Sequence, residues 1–229
     1  MVDAARPRAL AILTRAPSAG GKSRLFRALG SPPDPALLTA LLLDTLEAAA
    51  IPGVHRRIVV TPASARDDVR SLVGEDVQVE PQGEGDLGAR MREAMASMFT
   101  SGAGIAVLIG SDLPHLPRRH VEAAFAHLTV YPDALVLGPA VDGGYYLVAA
   151  TSLPPIFDGP RWGTGSVLAD TRRLALDAGL PVQLLDPLAD VDDLATLRAA
   201  VEGDGTAPRT RAWWNGWRAG NKDVTMEGL

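Results

Sequence analysis

A layered α/β sheet with helices on both faces is the fold class this chain predicts, on three observations. Short β-type runs alternate with amphipathic segments along its length. The first apolar run, residues 9–13, ends directly in a glycine-bearing loop studded with cations, the layout of a strand that meets a ligand before the next helix. With 229 residues, 47% apolar and 21% charged, the chain suffices for one large domain with a well-buried core.

In chain order, the strand at 9–13 is followed by a helix opening near Ser23, which Gly30-Ser31-Pro32-Pro33 cuts short. A helix is expected at 35–50, a strand at 57–61, a helix at 65–73 and a strand at 77–80. The alternation continues with a helix at 86–99, a strand at 105–109 and a helix at 117–128. Two strands at 134–137 and 145–149 flank an Asp-Gly-Gly turn, and a helix at 165–178, a strand at 182–185 and a helix at 192–201 complete the pattern. Residues 1–202 read as a single catalytic domain. From Gly203 the composition shifts to Gly, Asp, Thr and Pro followed by Trp213, Trp214 and Trp217, so 203–229 reads as a Trp-rich C-terminal extension rather than another layer. Its tryptophans are expected to cover an apolar patch on the same chain or on a homodimer partner.

Composition excludes several functional classes. There is no cysteine, hence no disulfide, thiolate metal site or cysteine nucleophile. No run of eighteen apolar residues without charge occurs, and the opening residues Met1 to Arg8 lack the apolar core of a secretory signal, so a cytoplasmic protein with no membrane partner is expected. A net charge of −5 without a dominant basic run argues against a nucleic-acid surface, while leaving room for a local cationic pocket that takes one nucleotide.

That pocket is expected at residues 13–25. Ala16, Gly20, Gly21 and Ser23 supply small residues and backbone N–H groups, and Arg15, Lys22 and Arg24 supply charge. Ala16, four intervening residues and Gly21-Lys22-Ser23 also satisfy a relaxed phosphate-binding P-loop, with alanine in place of its first glycine; there Lys22 would reach the β- and γ-phosphates and Ser23 would hold magnesium. Four further segments share the chemistry. Asp112, in Gly110-Ser111-Asp112-Leu113-Pro114 after a strand, is placed to bind Mg²⁺ or Mn²⁺, a hard cation that takes carboxylate and phosphate oxygens; it stands several residues too early to cap the next helix. Asp186, Asp190, Asp192 and Asp193 crowd a second segment, where Asp192 or Asp193 serves either as a helix cap or, with Asp112, as a metal ligand. Asp142-Gly143-Gly144-Tyr145-Tyr146 is a turn whose carboxylate and tyrosines are candidates for recognising an acceptor. Gln82 and Gly83, ahead of a helix that carries Arg90, form a loop suited to a base or a phosphate.

Taken together, Lys22-Ser23-Arg24-Leu25, residues 82–91, 110–114 and 137–146, Trp162-Gly163-Thr164 and Asp190-Val191-Asp192 resemble the bacterial family described as radical-SAM/selenodomain-associated transferase type 1. The resemblance spans residues 8–202. It implies a three-layer α/β/α domain with a mostly parallel mixed sheet of the glycosyltransferase-A type, the nucleotide-diphospho-sugar transferase fold. That fold also contains sugar-phosphate nucleotidyltransferases, molybdenum-cofactor guanylyltransferase and 2-phospholactate guanylyltransferase. It further implies that the opening loop faces nucleotide phosphates, that Asp112 and Asp192 are metal ligands, and that Gly143, Gly144, Tyr145, Trp162 and Thr164 face the acceptor or a sugar. Ser23 stands where the family has threonine, and Asp193 where its acidic element has threonine.

Two reactions fit these residues. In nucleotidyl transfer, a phosphorylated small molecule attacks the α-phosphate of a nucleoside triphosphate and pyrophosphate departs, with Arg15, Lys22 and Arg24 stabilising the transition state. In glycosyl transfer, an acceptor hydroxyl attacks a nucleotide sugar with Asp142 as base. The cationic loop straight after the first strand favours the first. A nucleotide-binding protein without turnover is the remaining class, since fold does not guarantee activity. No glycine-x-serine-x-glycine elbow surrounds Ser111 or Ser166, and the four histidines form no close ligand pair.

Overall fold

In the computed structural model, residues 6–203 and 207–221 are described. Residues 1–5, part of the segment read above for an export signal, and the end of the Trp-rich segment lie outside them. Seven strands form one sheet in the order β3-β2-β1-β4-β6-β5-β7. They are β1 (Arg8–Arg15), β2 (Val54–Thr61), β3 (Gln78–Pro81), β4 (Ile105–Gly110), β5 (Leu135–Pro139), β6 (Tyr145–Ala150) and β7 (Val182–Leu184). Each overlaps a strand the sequence predicts. The sheet is parallel except at β6, which runs antiparallel between β4 and β5. The mostly parallel mixed α/β fold is therefore as expected.

The central strands read as unbroken apolar runs because both faces are covered. Side chains alternate across a strand, so β1 sends Leu10 and Ile12 into one core and Ala9 and Ala11 into the other. The first core is closed by α2 (Pro35–Ala48), α3 (Arg66–Val73) and α5 (Arg118–Val130), through residues such as Leu42, Val69 and Phe125. The second is closed by α4 (Leu87–Thr100) and α6 (Val167–Asp177), through Met91, Met95, Met98 and Ala175. Three helices on one face of the sheet and two on the other make a three-layer stack of what the sequence shows only as alternation.

A third apolar cluster joins α1 (Ser23–Ala28), α2, α7 (Leu194–Glu202) and α8 (Pro208–Gly220). Here the structure differs from the reading of 203–229 as an appended extension. Trp214 is 2% exposed in this cluster, and Trp217 stacks on it at 5.4 Å between ring centroids. The tryptophans thus pack on their own chain. The helix is further tied down by Asp44 of α2, which is fully buried and accepts hydrogen bonds from the Thr210 backbone N–H and hydroxyl, both at 2.8 Å, and from Arg209 at 3.1 Å. A buried carboxylate needs such partners, because charge taken out of water is otherwise very costly. Local residue choice hid this helix: Gly216 and Gly220 are poor helix formers, and the helix is held by tertiary packing instead. No described helix is long and apolar enough to cross a membrane.

The carboxyl ends of β1, β2, β3 and β4 all lie on one edge of the sheet, and the turn between β5 and β6 opens onto the same edge. Ligands of open α/β sheets bind at that edge, outside the strand ends.

Candidate active site

Lys22 ends the loop that leaves β1. Gly20, Gly21 and Lys22 all have positive φ, at 67°, 141° and 52°, and a side chain at the two glycines would be strained. This winding brings the Lys22 ammonium between two carboxylates, 2.6 Å from Asp112 Oδ2 and 2.5 Å from Asp192 Oδ1. Burial alone would lower the Lys22 pKa, but Asp112 and then Asp192 outweigh it and hold the ammonium above its usual value.

Both carboxylates are placed by hydrogen bonds that the sequence does not advertise. The buried Thr45 hydroxyl of α2 donates to Ser111 O at 2.9 Å and accepts from Leu113 N–H at 3.1 Å, gripping the chain on either side of Asp112. The Val191 N–H donates to Asp112 O at 2.9 Å, which joins the two acidic segments. Asp193, not Asp192, caps α7: it accepts from Thr196 N–H at 2.8 Å in a capping box, which frees Asp192 for Lys22. Thr45 is the functional residue missed from sequence. A threonine in the middle of an apolar helix carries no motif, and only its long-range partners reveal it.

Three hollows of about 360, 390 and 440 Å³ share Asp112 as a lining residue. Arg15, Gly20, Gly21, Lys22, Ser23, Arg24 and Asp192 line the first. Asp142, Gly144, Tyr145, Trp162, Thr164 and Asp190 line the second, with Arg24 as its cation. Arg15, Gln82, Arg90 and Tyr145 line the third. A larger hollow of about 830 Å³, walled by His55, Arg56, Arg70 and Arg118, lies at the opposite edge of the sheet and contains none of the expected residues.

Ala16 does not act as expected. It is fully buried, and its N–H donates to Thr61 O at 2.8 Å, so it has nothing left for a phosphate. Together with a six-residue α1, this removes the P-loop layout. Gly83 is absent from the walls of all three hollows and faces the Glu93 carboxylate instead. Tyr145 offers its ring rather than its hydroxyl, which points to Met91 Sδ at 4.0 Å; burial drives its pKa above the usual tyrosine range. The Thr164 hydroxyl is engaged locally with Arg161 O at 2.7 Å. Asp142 accepts from Gly144 N–H at 2.9 Å, forming the turn itself. Gly143 sits beneath it at φ 90°, so close to the Gly165 backbone that a Cβ would lie 2.2 Å from its carbonyl oxygen. Asp190, beside Asp142 and Asp192, is pushed up to about 6, first by burial and then by the Asp192 charge.

Among the described residues, no group of three or more His, Asp or Glu side chains is arranged to hold a metal ion. Asp112 and Asp192 nevertheless converge on one point, the Lys22 ammonium. An all-oxygen pair of carboxylates suits a hard divalent cation that completes its shell with substrate phosphates and water.

Behind the second hollow, the Tyr146 hydroxyl lies 2.7 Å from His120 Nδ1 and 3.1 Å from Asp186 O. His120 is depressed below 6.5, mainly by burial and then by Arg119, against a smaller opposing pull from Asp186. Such an imidazole takes up fewer protons than the unfolded chain just below 6.5, so its stabilisation is full above that pH and is lost as pH falls toward the folded-state value. Thermal midpoints measured from pH 8 to pH 5 are expected to fall more steeply at the acidic end for the wild type than for His120→Gln. Parallel curves would show that His120 does not titrate between the two states.

Known proteins match this chain along most of its length. The family described as "Uncharacterized protein conserved in bacteria (DUF2064)" matches residues 43–164. The chain is 34% identical over 197 residues to the 3-phospho-D-glycerate guanylyltransferase of Phenylobacterium zucineum HLK1, covering 84% of this chain and 88% of that one. It is 31% identical over 212 residues to the phosphoenolpyruvate guanylyltransferase of Nocardia farcinica IFM 10152, covering 86% and 87%. Among solved structures, a protein of Desulfovibrio desulfuricans G20 described as a candidate nucleotide-diphospho-sugar transferase superposes with a TM-score of 0.79 at 27% identity, covering 93% of this chain and 98% of that one.

Proposed function

The chain belongs to the DUF2064 family, and from that kinship and the geometry of the site we propose that it transfers a guanylyl group from GTP to a small phosphorylated carboxylic acid. It is a transferase of the nucleotidyl class, as its curated relatives are. Guanine as the base, an acceptor of the 3-phosphoglycerate or phosphoenolpyruvate type, the divalent metal and the narrower kinship with the radical-SAM/selenodomain-associated transferases are the proposed parts. One observation supports the reading above the rest: a cation on the loop after β1 meets two carboxylates from separate segments at the ligand-binding edge of the sheet.

In the proposed reaction, an oxygen of the acceptor phosphate attacks the α-phosphorus in line, a new P–O–P linkage forms, and pyrophosphate leaves with the electron pair of the broken bond. The acceptor is already an anion, so the protein need supply neither a nucleophile nor a base. Its work is positioning and charge. Arg15, Lys22 and Arg24 line the hollow suited to the triphosphate, and Lys22 is held in place beforehand by its two carboxylates. Asp112 and Asp192 would hold Mg²⁺ or Mn²⁺, which neutralises charge on the departing pyrophosphate when bound. Arg24, shared by the first and second hollows, is placed to attract the acceptor's own charge. Trp162, against Gly88 of α4, and the Asp142 turn wall the acceptor side.

Incubation with Mg²⁺, GTP and either 3-phosphoglycerate or phosphoenolpyruvate is expected to release pyrophosphate and give a ³¹P NMR signal for a new phosphoanhydride. Consumption of a nucleotide sugar with release of nucleoside diphosphate, and no pyrophosphate from GTP, would overturn the proposal.

A further inference from the structure

Gln82 carries an orientation that its neighbours enforce. Its backbone N–H donates to Val60 O at 2.7 Å, which extends the pairing of β3 with β2 past the strand end. Its side-chain Nε2 donates to Thr14 O at 2.9 Å and to Val59 O at 3.0 Å, carbonyls of two adjacent strands. Both neighbours are acceptors, so a flipped amide would set oxygen against oxygen, and only the NH₂ end can face them. Both amide hydrogens are thereby used. The carbonyl Oε1 is the one hydrogen-bonding atom this side chain has left for the third hollow, and it can only accept.

Arg90 lines the same hollow and is the complement. Its Nε donates to Gly85 O at 2.9 Å, which fixes the guanidinium on the loop that follows β3 and leaves its terminal nitrogens as donors. The hollow therefore presents an acceptor-only group and a donor-only group to whatever enters it.

We propose that Gln82 and Arg90 read the nucleobase by its lactam edge, Gln82 Oε1 accepting the ring N–H and Arg90 donating to the neighbouring ring carbonyl. The assignment rests on the nucleotidyl-transfer reading and deepens it by naming the edge that is recognised. Guanine and hypoxanthine carry a lactam. Adenine has a lone pair on the corresponding ring nitrogen, which would face the Gln82 oxygen with no hydrogen between them, and an unpaired polar contact of that kind is penalised strongly in a site built to hydrogen-bond.

The test uses wild-type protein, Gln82→Met and Gln82→Lys; the lysine keeps a donor for Thr14 O and Val59 O while removing the acceptor. Pyrophosphate release with 3-phosphoglycerate or phosphoenolpyruvate is measured for GTP, ITP, ATP and 2-aminopurine riboside triphosphate, and the dissociation constant of each nucleotide is measured by calorimetry. In the wild type, GTP and ITP are expected to bind and react at least tenfold better than ATP and the 2-aminopurine nucleotide, which lacks the lactam but keeps the exocyclic amine. In either folded variant the GTP-to-ATP ratio is expected to fall at least tenfold. A wild type that treats ITP like ATP overturns the assignment without any variant, and so does a folded variant whose ratio stays within twofold. Selective binding of GTP and ITP without turnover of either acceptor would fail the proposed reaction and still support the base reading.

Discussion

Asp112→Asn is expected to lower kcat about a hundredfold to a thousandfold, the scale of losing one preorganised electrostatic contact at a reacting centre. The substitution keeps size and shape and removes charge. The backbone around it stays gripped by Thr45 and Val191, so the residue remains where it is. Lys22 retains Asp192 as a partner. Because the Asp112 side chain is 35% exposed, its loss should change the thermal midpoint little, which separates a chemical defect from unfolding. The measurement is the initial rate of pyrophosphate release, together with a thermal melt of both proteins. A rate within threefold of wild type would take Asp112 out of the chemistry.

The second large effect is expected from a single added methyl. Gly143→Ala should cost about 3 kcal/mol of stability: a left-handed backbone costs a residue with a Cβ about 1–2 kcal/mol, and the remainder comes from a clash with backbone that cannot step aside. Its Cβ would lie 2.2 Å from Gly165 O and 2.7 Å from Gly165 C. Relief would require the Asp142 turn to part from residues 163–165, so the KM for the acceptor is expected to rise more than the KM for GTP. Gly144→Ala is the control, since its Cβ would meet only the Asp142 carboxylate at 3.2 Å without a positive φ. Urea titration of both variants decides the matter: a Gly143→Ala loss no larger than that of Gly144→Ala would show that the two loops are not locked together.

The sheet was legible because parallel strands buried on both faces carry long apolar runs, and β1 and β4 have little else in them. The site was legible as a set of loops for the same reason: strand ends at one edge must deliver whatever follows them to one place. What periodicity could not show was which atoms were already engaged. Ala16 looked like part of an anion loop, yet its N–H completes the pairing of β1 with β2. Asp192 and Asp193 were equivalent as letters, and only the capping box of α7 tells them apart. Thr45 and α8 escaped for a further reason: their meaning lies in contacts across 66 and 166 residues of chain, to Ser111 and between Asp44 and Thr210.

That last separation bears on how the protein is made. Asp44 is synthesised 166 residues before Thr210. At about 5–20 residues per second, a ribosome takes roughly ten to thirty seconds to close the gap. Throughout that interval the Asp44 carboxylate has only water in place of Thr210 and Arg209, and the side of α2 that carries Leu37 and Leu41 lacks Trp214 to cover it. The sheet and the α2 face that packs on it can assemble while the nascent chain grows, and the third apolar cluster is completed last, when Trp214 arrives. A chain interrupted before α8 would therefore hold most of the fold, with an open apolar face for chaperones and proteases to recognise.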